Sequence, residues 1–237
     1  MFHPKGPTLF ELARQAMSST EHGYDLIAPK FDWTPFRTPE PIVREIARRV
    51  GPVRAALDVC CGTGAAAVAL CAECTNRVVG VDTSAGMLEV AAQRLRDAPK
   101  HDGLRAELVR ADALDLPFAN EFDAAVSVGA FGHIEERDEP QFVSSIFRAL
   151  KPGGRFVFAT SELPPWTSPW RVAAEGFNAA MRARNAIYSP PFIMYYLTFL
   201  WPTVRGRLLA AGFSEVEATR GAFPAPFGKV LLVTAKK

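Results

Sequence analysis

The stretch that decides the fold is Leu57-Asp58-Val59-Cys60-Cys61-Gly62-Thr63-Gly64, where a short apolar run meets two closely spaced glycines. A segment of small residues with helical character, 65–72, follows directly. Glycines between a strand and a helix let the backbone approach a ligand that larger side chains would exclude. The stretch therefore predicts a strand, a ligand-binding turn and a helix in succession.

On the C-terminal side of this stretch, apolar runs alternate with helical patterns. Further strands are predicted at 78–81, 108–111, 124–128 and 156–159, and helices at 84–95, 140–150 and 204–211. Short apolar strands separated by helices indicate an α/β protein whose mostly parallel sheet is covered on both faces. No helix separates the last two runs, 215–219 and 230–233, so we expect the sheet to end in an antiparallel strand pair.

Two helices are predicted on the N-terminal side. Thr8 and Glu11 have the spacing of a capping box, in which each side chain satisfies an unpaired amide at a helix start. Thr38-Pro39-Glu40 predicts a second helix with proline at its first position, and Gly51 is a suitable end for that helix.

The composition excludes several classes of protein. Among 237 residues, 27 Lys and Arg balance 25 Asp and Glu, which excludes a protein held on nucleic acid by charge alone. The longest apolar stretch, 192–201, is about half a membrane span, and residues 1–15 lack a signal-peptide pattern. We therefore expect a cytoplasmic protein without a membrane or nucleic-acid partner.

Four cysteines lie close together in the sequence, at Cys60, Cys61, Cys71 and Cys74. Neighbouring residues of a strand point to opposite faces, so Cys60 and Cys61 could not easily reach one metal ion. We expect small buried thiols and no metal site.

Three acidic residues stand at the ends of three successive predicted strands: Asp58, Asp82 and Asp112. The carboxyl ends of parallel strands lie side by side, where such folds bind their ligands. A carboxylate after the second strand can accept hydrogen bonds from the two ribose hydroxyls, and one after the third can reach an adenine amino group. The pattern therefore predicts a cofactor that contains a nucleoside.

Two cofactor classes fit this pattern. Residues 62–67 read as G-x-G-x-x-A, and Asp82 has the spacing of a ribose ligand in NAD-binding proteins. Asp58 opposes that interpretation, because a carboxylate before the glycines would face the pyrophosphate. The same carboxylate suits the ammonium group of an amino-acid moiety.

Taken together, five motifs resemble the class I S-adenosylmethionine-dependent methyltransferases, most closely the small-molecule type with type 11 or type 25 domains. The motifs are 57–64 (LDVCCGTG), 81–88 (VDTSAGML), 111–118 (ADALDLPF), 122–129 (FDAAVSVG) and 150–156 (LKPGGRF). The resemblance covers nearly the whole chain. It implies a Rossmann-like, doubly wound sheet of seven strands with an antiparallel final pair, and S-adenosylhomocysteine as the product left by the cofactor.

The resemblance also implies residue roles. Asp58, Gly62 and Gly64 would surround the methionine part, Asp82 the ribose, Asp112 with Ala113 and Leu114 the adenine, and Gly129 the region of the sulfonium. Residues 24–32 (YDLIAPKFD) are similar to an N-terminal element that folds over the cofactor in this family. The cofactor-binding residues implied are Tyr24, Phe31, Asp58, Cys60, Gly62, Gly64, Asp82, Thr83, Met87, Asp112, Ala113, Leu114 and Gly129.

One residue departs from the family pattern. Cys60 stands where the family usually has a glycine. If this position requires a positive φ, a Cβ there costs about 1–2 kcal/mol, and we expect weaker cofactor binding.

His133 follows the fourth predicted strand, where the methyl acceptor should lie. A neutral imidazole could remove a proton from the acceptor, so His133 is the candidate catalytic residue. The alternative is a structural histidine that holds this loop by hydrogen bonds.

Between the fifth strand and the next core helix lies an insertion rich in aromatic residues, 164–202. It leaves three interpretations open: a helical lid over the acceptor, plain helical packing, and an interface for a homodimer. The candidate acceptor-binding residues are Phe131, Phe192, Tyr195, Tyr196 and Trp201.

We therefore predict one methyltransferase domain that acts on a small, apolar or aromatic molecule. Its parts are an N-terminal helical cap (1–50), a cofactor-binding core (51–163), the insertion (164–202) and a last helix with two strands (203–237). The alternatives are an NAD-dependent oxidoreductase and a non-catalytic cofactor-binding protein of the same fold.

Overall fold

The computed structural model describes residues 3–237, and within them seven strands form one sheet. The strands are β1 (Val53–Val59), β2 (Cys74–Asp82), β3 (Arg105–Arg110), β4 (Phe122–Ser127), β5 (Leu150–Thr160), β6 (Ser214–Thr219) and β7 (Leu231–Lys236). Their order in the sheet is β3-β2-β1-β4-β5-β7-β6. β1 to β5 are parallel, and β7 runs antiparallel to both β5 and β6. The predicted parallel sheet with an antiparallel final pair is confirmed.

In the described part of the chain, eight α-helices flank or cap the sheet. They are α1 (Leu9–Ala16), α2 (Thr20–Ile27), α3 (Glu40–Val50), α4 (Ala65–Leu70), α5 (Ala85–Asp97), α6 (Glu139–Ala149), α7 (Pro169–Ile187) and α8 (Thr203–Ala210). Short 3₁₀ turns at Ala28–Trp33, Ala113–Asp115 and Phe131–His133 lie near the ends of the parallel strands. The capping box of Thr8 and Glu11 is present at the start of α1.

Alternation along the strands divides the core into two layers. In β1, Leu57 and Val59 pack with α6 and α8, whereas Ala56 faces α3 and α4. All three of these side chains are completely buried. Burial on both faces explains why the strands read as continuous apolar runs rather than as an alternating pattern.

The glycine-rich turn after β1 depends on glycine at one position above all. Gly64 has φ of 80°, and a Cβ built there would lie 3.0 Å from the Cβ of Ala91 in α5. Gly64 therefore lets α4 begin directly against α5. As a result the turn stays at the carboxyl end of the sheet.

Two local expectations differ from the structure. Thr38 is not the residue that caps α3, because Pro39 occupies the N-cap position and the helix begins at Glu40. The insertion is helical only in its first half, as α7. The stretch after Ile187 is irregular up to the start of α8, apart from one isolated bridge between Glu162 and Trp201. Within residues 3–237, no helix combines the length and the apolar character that crossing a membrane requires.

Candidate functional site

A cavity of about 1070 Å³ lies at the carboxyl ends of β1 to β4. Its floor is made by the turns that follow these strands. The cap covers it from one side through α2 and the adjoining 3₁₀ turn, and the irregular half of the insertion closes it from another. This volume is at the upper end of the usual range for ligand pockets, so it has room for two molecules side by side.

Two of the three acidic residues at this edge organise the backbone around them. Asp82 accepts hydrogen bonds from the backbone N–H of Gly62, at 2.9 Å, and of Ser84, at 3.0 Å. Asp112 caps its own 3₁₀ turn by accepting from the N–H of Leu114 at 2.9 Å. Asp82 thus joins the turn after β1 to the turn after β2.

Asp58 is the exception among the acids. Its side chain is 1% exposed, and neither carboxylate oxygen has a hydrogen-bond partner among residues 3–237. Burial, with a smaller contribution from the charge of Asp82, raises the pKa of Asp58 to about 8. A buried carboxyl without a partner is costly unless a ligand compensates it, so Asp58 marks a place for a cationic or hydrogen-donating group.

The turn between Asp58 and α4 leaves space for such a ligand. Nothing lies within 4 Å of a Cβ built on Gly62, whose φ is 51°. Cys60 has φ of 58°, in the left-handed region that favours glycine. Position 60, where the family usually has a glycine, therefore does have a positive φ. The Cβ of Cys60 strains the backbone there by about 1–2 kcal/mol.

The cap is tied to these turns by two acidic side chains. Asp25 accepts hydrogen bonds from the hydroxyl of Ser84 at 2.6 Å and from the N–H of Gly86 at 2.9 Å. Asp32 accepts from the hydroxyl of Thr63 at 2.9 Å and forms a salt bridge with Arg94. The cap is thereby anchored to the turns after β1 and β2.

A second set of bonds ties the cap to the insertion. The hydroxyl of Tyr24 lies 2.9 Å from Nε2 of His133, and Nδ1 of His133 lies 2.7 Å from the carbonyl oxygen of Ile193. A carbonyl can only accept, so Nδ1 carries the proton and Nε2 accepts from Tyr24. Burial lowers the pKa of His133, which keeps the ring neutral, and burial raises the pKa of Tyr24.

The side of the cavity that the insertion contributes is built by aromatic residues. The ring of Tyr196 packs edge to face against Trp170 and Phe177, with centroids 5.4 Å and 5.0 Å away. Asn178 of α7 holds the irregular segment in place, because its side chain bonds the N–H and the carbonyl of Tyr196, both at 2.8 Å. Phe131 stacks on Phe199 at 4.3 Å and forms the base of this wall.

The structure brings most of the predicted site residues together around the cavity. Those on its walls are Tyr24, Phe31, Asp58, Cys60, Gly62, Asp82, Thr83, Met87, Asp112, Ala113, Leu114, Gly129, Phe131, His133, Tyr195 and Tyr196. They reach it from seven separate segments of the chain.

Three predicted site residues lie elsewhere. Gly64 faces Ala91 rather than the cavity. Phe192 is 2% exposed and packs over Gly23 and Tyr24, where it joins the insertion to the cap. Trp201 packs against the core beside β5. The apolar run around these aromatics does not distinguish a wall residue from one that packs behind the wall.

Thr38 and Ser127 are among the polar residues of the cavity wall that the sequence did not identify as site residues. The hydroxyl oxygen of Thr38 lies 2.6 Å from a Cβ built on Gly129, so it covers the end of β4. Ser127, the last residue of β4, has a buried hydroxyl without a partner among residues 3–237. In the sequence, Thr38 has the context of a helix cap and Ser127 lies within an apolar strand. Neither residue is therefore recognisable from the sequence as part of a ligand-binding site.

The cysteines show no metal-binding arrangement. All four have free thiols, and three of them are buried. Within the described residues 3–237, no group of three His, Cys, Asp or Glu side chains is placed to hold a metal ion.

Comparison with known proteins identifies the family. Residues 56–154 match a family model described as a methyltransferase domain. The chain is 36% identical over 185 residues to a demethylmenaquinone methyltransferase of Clavibacter sepedonicus, covering 72% of this chain and 70% of that protein. It is also 39% identical over 111 residues to a protein of the same name from Symbiobacterium thermophilum, covering 46% and 43%. The chain belongs to the class I S-adenosylmethionine-dependent methyltransferases, so it is an enzyme with S-adenosylmethionine as its cofactor.

Solved structures agree on the fold. An S-adenosylmethionine-dependent methyltransferase from Methanosarcina mazei matches with a TM-score of 0.63 at 17% identity, covering 81% of this chain and 96% of that one. A phosphoethanolamine N-methyltransferase from Haemonchus contortus, bound to phosphomonomethylethanolamine and S-adenosylhomocysteine, matches with a TM-score of 0.60 at 22% identity, covering 82% and 52%. The family assignment favours a methyltransferase over the two alternatives, an NAD-dependent oxidoreductase and a non-catalytic protein.

Proposed function

We propose that this enzyme binds S-adenosylmethionine in the acidic part of the cavity and methylates a small, apolar or aromatic molecule in the aromatic part. The observation that carries the proposal is the cavity itself. One continuous space reaches from the turns after β1 to β3 to the wall around Phe131, Tyr195 and Tyr196. Such a space lets two molecules meet out of contact with bulk water.

The residues present fit the cofactor. Asp58, buried and without a partner, suits the ammonium of the methionine part. Gly62 has no side chain, so the methionine part can approach its backbone. Asp82 is held in place by two backbone amides and still presents a carboxylate to ribose hydroxyls. Asp112, Ala113, Leu114 and Met87 form the wall assigned to adenine, and Gly129 lies at the end of β4, where the sulfur would pass. When bound, S-adenosylmethionine supplies an electrophilic methyl group.

The acceptor half supports an apolar or aromatic substrate. Its wall consists of rings from the insertion and of Phe131, and the backbone groups of the segment are satisfied by Asn178. Relatives named demethylmenaquinone methyltransferase make a quinone-type ring the first acceptor to test. The chain spans 70% of one of these relatives but only 43% of the other, and 59% of similar proteins from Listeria.

His133 has a defined place in this proposal. Its neutral ring can take a proton from the acceptor, but its Nε2 already accepts the hydroxyl of Tyr24. A proton leaving the acceptor would therefore reach His133 through that hydroxyl, which accepts one proton as it donates its own. An acceptor that loses no proton needs no base, and His133 then only positions the loop after β4.

Cofactor binding is tested by a thermal-shift titration with S-adenosylhomocysteine, S-adenosylmethionine and NAD in parallel. A ligand at a hundred times its dissociation constant adds about 2.7 kcal/mol of stability. This should raise the melting temperature by roughly 5–10 °C for a chain of this size. We expect a shift with both sulfur compounds and none with NAD. No shift with the sulfur compounds would overturn the assignment of the acidic half.

The acceptor is tested by transfer of a labelled methyl group to demethylmenaquinone and to a quinone ring without the apolar tail. Tyr196→Ala and Tyr195→Ala should lower turnover while cofactor affinity stays unchanged, because both residues lie on the part of the cavity wall that the insertion contributes. Tyr188→Ala is the matched control, since Tyr188 belongs to the same insertion but is 52% exposed and lies off the cavity wall. Equal losses in all three variants would show that the insertion acts only on stability.

A further inference from the structure

The outward face of α7 is apolar along most of its length. The exposed residues of this face are Val172, Ala173, Glu175, Gly176, Ala179, Ala180, Arg182, Ala183, Ala186 and Ile187. Val172 is 64% exposed and Ile187 is 75% exposed. Glu175 and Arg182 are the two charged residues of the set, and large contiguous apolar surfaces of this kind mark interaction sites.

The opposite face of α7 is already in use. Arg171, Ala174 and Asn178 are buried against the rest of the insertion, and the bonds of Asn178 to Tyr196 fix the rotation of the helix. The outward face is therefore left exposed by the fold of the single chain.

The outward face is arranged symmetrically about its own midpoint. Val172 stands as far from the point between Ala179 and Ala180 as Ile187 does on the other side. The same holds for Gly176 with Ala183. The members of each pair lie within about 60° of one another around the helix, so an antiparallel two-fold axis at this midpoint brings them opposite each other in two copies.

We propose that the chain forms a two-fold homodimer in which the α7 helices of two copies pack antiparallel through this face. In this arrangement Val172 packs against Ile187 of the second copy at each end of the contact between the two helices. Small residues near the axis let the two helices approach closely, because the distance between packed helices depends on the side chains at their contact.

The two charges of the face select the second copy as the occupant. Glu175 and Arg182 lie seven residues apart, on one flank of the helix. An antiparallel two-fold arrangement brings this flank against the same flank of the second copy, so each Glu175 meets the other copy's Arg182. The midpoint of the charged pair is one residue from that of the apolar pairs, or about 1.5 Å along the helix.

Both charges are free to make this contact. The nearest cation to Glu175 is Arg171, at 3.9 Å from its carboxylate, and Glu175 is half exposed. Arg182 lies over the ring of Tyr195 at 5.3 Å and has no salt bridge to a carboxylate within residues 3–237. A helix packed the other way round would leave both charges without an opposite partner across the seam.

Sedimentation velocity of the full chain over a range of concentrations tests the dimer. We expect a dimer for the unchanged protein and a monomer for Ala179→Glu, since the new carboxylate lies beside its own copy near the axis. Ala210→Glu is the control, because Ala210 is an exposed alanine of α8, away from the insertion. A monomeric unchanged protein, or a dimer that survives Ala179→Glu, overturns the proposal.

Charge exchange tests the antiparallel arrangement specifically. Glu175→Arg alone and Arg182→Glu alone should each raise the dimer dissociation constant by about tenfold, because like charges then face each other. The double variant Glu175→Arg with Arg182→Glu should restore the original value. Failure of the double variant to recover would show that these charges do not pair across an antiparallel seam, whatever the oligomeric state. Methyl transfer is not part of either measurement, so a wrong acceptor assignment leaves this test intact.

Discussion

The two halves of the cavity are held in place by different means. In the acidic half, Asp58 and Asp82 lie at the ends of β1 and β2 and Asp112 lies in the turn after β3, and the strand pairing of the sheet fixes these positions relative to one another. In the aromatic half, side chains such as Asn178 and His133 hold an irregular segment by single hydrogen bonds to its backbone. The first half is thus specified by local sequence and topology, whereas the second is specified by long-range side-chain contacts.

The two halves meet at the cap. Asp25 and Asp32 fasten it to the acidic half, and Tyr24 and Thr20 fasten it to the insertion, the latter through a 2.7 Å bond from the N–H of Ile193 to the hydroxyl of Thr20. A change on either side of this junction should therefore separate effects on the cofactor from effects on the acceptor.

The glycine turn offers the sharpest contrast within the acidic half. Gly64→Ala should lower the free energy of unfolding by about 2–4 kcal/mol, because the new Cβ is strained at positive φ and collides with Ala91 in α5. Gly62→Ala should cost only about 1–2 kcal/mol, since nothing lies within 4 Å of its Cβ. Chemical denaturation of both variants measures the difference.

Ligand binding should reverse that order. Gly62→Ala fills space on the cavity wall, so its affinity for S-adenosylhomocysteine should fall further than that of Gly64→Ala, whose Cβ points away from the cavity. Equal affinities in the two variants would mean that the space beside Gly62 is not where the cofactor lies.

Asp82→Ala should weaken the binding of S-adenosylhomocysteine by about 1–3 kcal/mol, because ribose hydroxyls would be buried without their acceptor. Isothermal titration calorimetry measures this loss. Asp82→Asn is a useful control, since its one remaining oxygen can serve either the turn or the ribose. Unchanged affinity in Asp82→Ala would rule out the ribose assignment.

Tyr24→Phe should lower the free energy of unfolding by about 1–2 kcal/mol, because the buried Nε2 of His133 loses its donor. Tyr196→Phe is the matched control, since the Tyr196 hydroxyl makes no hydrogen bond within residues 3–237 and its removal should be close to neutral. Denaturant titrations of the two variants give the comparison. If both lose the same stability, the Tyr24–His133 bond does not hold the cap to the insertion.

Most of the acidic half could be predicted from sequence because its signals are local. The glycines and the acids stand at strand ends. Each strand is visible as its own apolar run, such as the run that includes Leu57–Val59 in the first strand and the run that ends at Asp82 in the second. The position of β4 is the exception, because β4 pairs with β1 and not with β3, the strand that precedes it in the chain.

The aromatic half could not be predicted to the same depth. The bond between Tyr24 and His133 joins residues 109 positions apart, and no local pattern announces it. The run 192–201 is apolar throughout, so composition alone does not show that Tyr195 faces the cavity whereas Phe192 packs behind it. Thr38 likewise has the sequence context of a helix start, although its hydroxyl covers Gly129.

Asp58 gives the smallest expected effect and the most direct test of the acidic half. With its pKa raised to about 8, its carboxyl is mostly protonated at pH 7 in the free protein. The ammonium of the cofactor favours the ionised form, so binding at pH 7 should release a proton. Affinity for S-adenosylhomocysteine should therefore rise about fivefold from pH 7 to pH 8 and level off above that.

The sign is opposite for folding. Between the ordinary pKa near 4 and the raised value of about 8, the folded chain binds a proton that the unfolded chain does not. Raising the pH through this window therefore removes stability from the free protein while it strengthens cofactor binding. Calorimetry in two buffers with different ionisation enthalpies counts the protons released, and Asp58→Asn should abolish the release. A proton released equally by the unchanged protein and by Asp58→Asn would assign it to another group, with Asp82, whose pKa burial also raises, as the next residue to examine.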